Sequence, residues 1–290
     1  MAQSVNRSLG AADLVERDTY PIDRPGSASY RTLVARCRRD LDSNGCCSLP
    51  GFLTDEALAA MTAVSREVAA AAYVSRCRTN VYFTADDETL PAEHPKRIFM
   101  DRTSAFVPGD RIAAGSVQRQ LYDWPPFMPF LADCLGEKHL YKYADPLADT
   151  IVNVVGPGEA FPWHFDTNDF SVSVLTQEAE HGGLFEFAPY IRSPENENPE
   201  GVRRVLAGDR DDVLSLALAP GDLQIFKGRN SLHRVTEVSG TRPRYTAIFS
   251  YAREPGMVGR VARTKQLYGK VLPVHLAAEA QRERSDRLMD

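Results

Sequence analysis

Apolar positions recur at helical spacing in the first part of the chain and alternate like strands in the second. Over residues 28–43, Tyr30, Leu33, Val34, Cys37 and Leu41 recur every three or four positions. This predicts an amphipathic helix with arginines on its outer face, ended by Ser43-Asn44-Gly45. Residues 46–52 predict a short strand turning at Pro50-Gly51. Thr54, followed by Asp55 and Glu56, predicts a capped helix through Leu58, Met61 and Val64 towards Ala72. Residues 1–27 are polar, contain Pro21, Pro25 and Gly26, and predict a loose arm. Between 74 and 140 the pattern is weaker. Residues 81–83 read as a strand, 87–97 as a polar rim or lid, and 117–122 and 126–135 as short helices.

From residue 141 short strand-like runs follow one another at 151–155, 170–175, 182–187, 213–218, 223–226 and 245–251. Turns such as Gly156-Pro157-Gly158 and Ala219-Pro220-Gly221-Asp222 separate them. That rhythm predicts an all-β barrel or jelly roll. A polar, acidic insertion occupies 190–212, and 274–289 predicts a surface helix. The expected organisation is an arm (1–27), a support region of helices and strands (28–140), a β catalytic core (141–252) and a helical extension (253–290). The whole is one catalytic domain, mainly β with flanking helices.

Composition changes this picture little. A hydrophobic share of 43% and a charged share of 25% over 290 residues allow a sizeable core. A net charge of -5 weighs against broad contact with nucleic-acid phosphates. The five cysteines include the adjacent pair Cys46-Cys47 and no C-x-x-C, which predicts reduced thiols and a cytoplasmic location. The start, Met-Ala-Gln-Ser-Val-Asn-Arg, is polar, and no stretch reaches the length of a membrane span. Neither nucleic acid nor membrane is an expected partner.

The candidate chemistry centres on residues 161–169, Phe-Pro-Trp-His-Phe-Asp-Thr-Asn-Asp. On an extended segment His164 and Asp166 leave the same face. A metal needs a third ligand, and His233, which also follows a turn, is the natural supplier. Two histidines and one carboxylate on one face of an octahedron leave open positions, as in non-haem Fe(II) oxygenases. Such an iron needs two further electrons to activate O2, and a 2-oxo acid supplies them. The far carboxylate of 2-oxoglutarate then needs a fixed cation, for which arginine offers a two-pronged donor. Arg244 and the Thr246 hydroxyl share one strand face and fit that role. Arg242, separated by Pro243, is the competitor. Asn153 is a candidate contact for 2-oxoglutarate or substrate. Thr167, Asn168, Asp169, Glu186, Arg97 and Arg102 are candidate substrate contacts. Trp163 should point away from His164 and pack. His94, His139, His181 and His275 lack the strand context and read as surface or packing residues, and Ser231 fits no nucleophile elbow.

His164-x-Asp166, His233 and Arg244 together resemble the Fe(II)/2-oxoglutarate-dependent oxygenases over roughly residues 141–252. The resemblance implies a double-stranded β-helix core, with Fe(II), 2-oxoglutarate and O2 as cofactor and cosubstrates. The block 182–192 and the run His233-Arg234-Val235-Thr236 look like the branch of hydroxylases and halogenases of free amino acids. Pro50-Gly51-Phe52-Leu53-Thr54 is similar to that branch and to the phytanoyl hydroxylases. Halogenases of this type carry Gly or Ala in place of the carboxylate. Asp166 therefore implies hydroxylation, with desaturation or ring closure as diversions. A small, amino-acid-like substrate is expected. The loops at 84–97 and 190–212, which suggest a covered pocket, weigh against a protein side-chain substrate. A non-enzymatic metal-binding jelly roll is the other rival.

Overall fold

Ser27 opens the first helix by accepting a hydrogen bond from the Tyr30 amide, and Gly45 closes it at a left-handed φ of 74°. This helix, α1 (Ala28–Asn44), leads into β1 (Cys46–Leu49). Thr54 caps α2 (Asp55–Ala69), its hydroxyl accepting from the Ala57 amide. The computed structural model describes residues 9–280. Next come β2 (Tyr73–Thr79), β3 (Met100–Val107), α3 (Val117–Asp123), α4 (Phe127–Leu135) and β4 (Tyr141–Lys142). The core continues with β5 (Thr150–Val155), β6 (Phe161–His164), β7 (Ser171–Gln177), β8 (His181–Gly182) and β9 (Phe185–Ala188). After α5 (Pro199–Leu206) come β10 (Leu214–Leu216), β11 (Leu223–Phe226), β12 (Leu232–Val235) and β13 (Val238–Ser239). β14 (Arg244–Phe249), β15 (Tyr251–Ala252), α6 (Val261–Tyr268) and α7 (Pro273–Glu279) finish the described chain.

The strands form a seven-stranded sheet, β1-β11-β7-β14-β5-β3-β2, and a four-stranded sheet, β10-β9-β12-β6, as expected of a jelly-roll core. All their pairings are antiparallel. The seven-stranded sheet has two unlike faces because side chains alternate along each strand. Val172, Val174, Leu223, Ile225, Ala247 and Phe249 join the helices in the largest core. The opposite face carries Asn153 paired with Thr246, and Ser173 paired with Gln224. This polar face looks across at the small sheet and lines the interior.

Several expectations need correction. Residues 9–27 are not a loose arm: Leu14, Val15, Tyr20 and Ile22 are buried in the main core, and Val15 bridges to Leu53. Residues 1–8 of that arm lie outside the described residues, as do 281–290 of the C-terminal helix. Residues 81–83 are not a strand, because Asn80 turns the chain there. Its fully buried side chain accepts from the Tyr82 and Thr84 amides at 3.0 and 3.2 Å and donates to the Lys96 carbonyl at 2.7 Å. β2 and β3 went unpredicted because their interior positions are polar (Ser75, Arg102, Ser104) and carry little apolar alternation. They and β1 weave the support region into the sheet of the core. The 190–212 insertion contains α5, which packs on the short helix Pro95–Arg97 of the other long loop. Among the described residues no helix is long and apolar enough to cross a membrane, and all five cysteines are free.

Candidate metal centre

The small sheet brings the two histidines together. β12 and β6 pair in register at His233 and His164, and again at Val235 and Phe161. β6 therefore carries one residue more than its partner over that interval. Such a bulge re-aims a side chain, and here it turns both Phe161 and His164 inward. The Phe161 ring meets the His164 ring edge-on, at 4.7 Å between centroids. Trp163 points the other way, into a cluster with Phe165 and Val202, with the Arg234 guanidinium 4.8 Å from its ring centre.

His164, Asp166 and His233 offer ligand atoms that all lie within 4.8 Å of one another. Asp166 Oδ1 is 3.7 Å from His164 Nε2 and 3.4 Å from His233 Nε2. Each imidazole is oriented by a carbonyl two residues before it. His164 Nδ1 lies 2.8 Å from the Pro162 oxygen, and His233 Nδ1 lies 2.9 Å from the Ser231 oxygen. A proton on each Nδ1 leaves both Nε2 lone pairs free, as a metal requires. Burial pushes the His164 imidazole well below its ordinary value, with His233 and Arg102 adding to the effect. Burial opposes ionisation of Asp166, but His233, Arg263 and Arg102 overcome it and hold this carboxyl below its usual range. Two imidazoles with their Nε2 atoms turned to one carboxylate fit a divalent cation.

The Asp166 amide donates to the Gly228 carbonyl at 3.1 Å. A Cβ on Gly228 would lie 2.0 Å from Asp166 Oδ2, so the carboxylate occupies the space a larger residue would fill. Phe185, Phe226 and Phe161 wall the histidines at 5.7, 4.9 and 4.7 Å.

Arg244 comes from the opposite sheet. It is 5% exposed and donates to Thr246 Oγ1 at 2.5 Å. Burial alone lowers its pKa to about 10, with no carboxylate raising it. It borders a cavity of about 190 Å³ together with Leu175, Gly183, Phe185 and Leu218. Gly183 takes a φ of +65°, and a Cβ there would press on the Arg244 side chain at 3.2 Å. Asn153 stands beside Thr246 and donates to the Ala105 carbonyl at 3.3 Å. Arg242 lies in the turn, half exposed, against Glu178 at 3.5 Å and the Ala179 carbonyl at 3.1 Å.

The candidate substrate residues scatter. Thr167 is exposed, and its carbonyl accepts from Arg229 at 3.1 Å. Asn168 accepts from the Tyr143 hydroxyl at 2.6 Å, and Asp169 pairs with Arg253 at 3.3 Å. Glu186 lies on the outer face of the small sheet, paired with Arg234 at 2.7 Å. Arg97 is held by Asp86 at 3.1 Å in the rim loop. Arg102 alone of these reaches the interior beside the metal ligands. It is 3% exposed, and its guanidinium carbon sits 4.1 Å from the Phe161 ring centre and 4.6 Å from that of Phe83. Phe83 stands against His164 at 5.9 Å and takes a φ of +59°, a strained conformation that Asn80 holds. The guanidinium carbon of Arg263, from α6, also lies over this ring, 3.7 Å from its centre. Phe83, Gly228 and Arg263 escaped the sequence reading. Only Gly228 left a trace, as the lone glycine in the turn before His233.

The fold and the His-Asp-His cluster are of the kind found in Fe(II)/2-oxoglutarate oxygenases. The chain belongs to the Halogenase D family, which matches residues 30–266. No curated protein sequence matches it. Among solved structures it is similar to a 2OG-Fe(II) oxygenase-family oxidoreductase from Burkholderia pseudomallei, at 16% identity and TM-score 0.50, covering 80% of this chain and 93% of that one. AviO1 from Streptomyces viridochromogenes Tue57 is similar at 14% identity and TM-score 0.52, covering 81% and 99%. The non-haem α-ketoglutarate-dependent epimerase SnoN of nogalamycin biosynthesis is similar at 14% and 0.53, covering 77% and 81%. At these identities the likeness is one of fold.

Proposed function

We propose that this protein is an Fe(II)- and 2-oxoglutarate-dependent oxygenase that hydroxylates an unactivated C–H bond of a small amino-acid-like molecule. The observation that carries the reading is the pair of arrays, His164 and His233 on the small sheet with Asp166 just beyond β6, and on the large sheet the buried Arg244, bonded to Thr246 and without a carboxylate partner among the described residues. When bound, iron with 2-oxoglutarate and O2 supplies an oxidant able to remove hydrogen from such a bond. His164 and His233 present their Nε2 atoms because Pro162 and Ser231 hold the Nδ1 protons. Asp166 supplies the third ligand and a negative charge. Arg244 and Thr246 take the distal carboxylate of 2-oxoglutarate, and Asn153 stands close enough to orient it. The phenylalanine wall keeps water from the metal face.

Asp166 weighs against halide transfer despite the family's name, because its carboxylate would serve as the third protein ligand, and Gly228 makes room for that carboxylate. Arg102, buried beside His164 with Nε and Nη2 unpartnered, is the group that receives a substrate carboxylate. The test is succinate formation from 2-oxoglutarate with Fe(II) across a panel of free amino acids, for wild type and Asp166→Ala. Substrate-stimulated succinate that disappears in the variant is expected. No metal-dependent binding of 2-oxoglutarate would overturn the assignment.

A further inference from the structure

The geometry points to Arg102 and Arg263 as a pair of guanidiniums, sharing the Phe83 ring, that selects a substrate with two carboxylates. The inference rests on the oxygenase reading and sharpens its substrate class.

The two cations reach the same place from distant parts of the chain. Arg102 comes from β3 and Arg263 from α6, and their guanidinium carbons lie 4.6 and 3.7 Å from the centre of Phe83. Two like charges converging on one ring repel one another unless an anion lies between them. Among the described residues neither has a carboxylate within ion-pair distance; Asp166 is the carboxylate whose charge both feel, and it is one of the three candidate metal ligands. Arg102 leaves Nε and Nη2 buried without any hydrogen bond, and Arg263 donates only to the neutral Gln266, at 2.6 Å. A buried, unsatisfied guanidinium is costly, so this arrangement calls for a ligand.

Charge sets the number of anionic groups. A divalent metal, Asp166, Arg244 and dianionic 2-oxoglutarate sum to zero. Arg102 and Arg263 then leave two positive charges uncompensated. The acidic side chains of the rim loop, of the segment after Asp166 and of β9 are already engaged: Asp86 with Arg97, Asp87 with Lys96, Asp169 with Arg253 and Glu186 with Arg234. None of these is left to receive a basic substrate side chain. A dicarboxylic amino acid places one carboxylate on each guanidinium and keeps a net negative charge after its α-ammonium is counted, whereas a neutral side chain leaves one guanidinium bare and a basic one adds repulsion.

The experiment is calorimetry on the full chain loaded with Ni(II) and saturated with 2-oxoglutarate, so that no turnover occurs and the cosubstrate site is filled. L-Aspartate, L-glutamate and L-2-aminoadipate are compared with L-asparagine, L-glutamine and L-lysine. At least one dicarboxylate should bind tenfold or more tightly than its amide and than lysine. Arg263→Gln should remove that preference and Arg263→Lys should restore part of it, with 2-oxoglutarate affinity unchanged in both. Arg263 is only partly buried, so these variants should fold even if Arg102→Gln does not. Equal or tighter binding of amides or lysine, or a preference that survives Arg263→Gln, would overturn the pair while leaving the oxygenase reading intact. Failure to load 2-oxoglutarate would instead count against the oxygenase reading. The metal-free protein would then still report on the pair, through the same Arg263-dependent preference.

Discussion

Replacing Gly228 by alanine tests whether the Asp166 carboxylate is placed by close backbone approach. The new Cβ would lie 2.0 Å from Oδ2, 2.7 Å from Cγ and 3.1 Å from Cβ of Asp166. Nonbonded heavy atoms settle at about 3.5 Å, so the carboxylate must retreat by more than ~1 Å. Moving the Gly228 loop instead would sacrifice the 3.1 Å hydrogen bond from the Asp166 amide. Either way a ligand leaves its place, whereas metal–ligand distances tolerate only about 0.2 Å. Gly228 does not occupy the left-handed region, so the penalty is one of space and not of backbone conformation. A fall in metal affinity of about 10–100-fold is expected, the range seen for lost supporting contacts. Competition against a chelator measures it, and the melting temperature of the metal-free protein serves as the folding control. The decisive comparison is a double-mutant cycle. In an Asp166→Gly background the carboxylate is gone, and Gly228→Ala should then cost almost nothing. Wild-type metal affinity in the single variant, or an undiminished penalty in the double variant, would refute the argument.

Arg244→Gln should abolish 2-oxoglutarate binding yet leave the ligand-free protein at least as stable, because it removes a buried charge that no carboxylate offsets. Wild type should gain about 2.7 kcal/mol at a hundredfold excess of 2-oxoglutarate over its Kd, and the variant should gain nothing in the same thermal-shift titration. Folded His164 refuses a proton that the unfolded chain accepts near pH 6.5, so the metal-free protein should lose stability as pH falls below that value. The slope should reach about 1.4 kcal/mol per pH unit and flatten in His164→Asn, as read by urea unfolding. His275 Nε2 and Asp145 Oδ2 meet at 2.9 Å with both side chains fully buried. His275→Ala removes this contact but leaves the Asp145 carboxylate the amide donors of Leu147 and Gly259, and should cost about 1–3 kcal/mol in urea unfolding. It should also weaken anionic ligands by loosening α6, which packs on α7 and carries Arg263.

How far the sequence spoke for this molecule depended on what each segment buries. Helices α1 to α4 were readable because one face of each enters the largest core, so apolar spacing and caps agree. The core strands were readable for the same reason, since their outer residues meet those helices. β2 and β3 were silent because β2 is an edge strand and β3 turns Arg102 and Ser104 inward. A strand that lines a polar cavity loses the apolar alternation that would reveal it. The buried segment at 9–27 was misread for a related reason, as four scattered apolar residues in a polar stretch make no period.

The same distinction separates the metal ligands from the residues around them. His164, Asp166 and His233 were visible because coordination restricts residue type and because strand geometry restricts spacing. Glu186 read as a candidate substrate contact, yet its register opposite Arg234 puts it on the outer face, and only pairing could show that. Arg263 had no signal at all, because its role comes from α6 folding back over Phe83, and no local pattern encodes a contact between such distant segments. Phe83 itself reads as one of three apolar residues in a row. It reaches His164 only because Asn80 bends the chain into a conformation that a side chain rarely adopts. The candidate metal site is thus written in residue types, whereas the proposed substrate site is written in tertiary contacts. The electrostatic consequences of the second, two cations beside the candidate metal centre with no carboxylate at ion-pair distance among the described residues, therefore become available only once the fold is known.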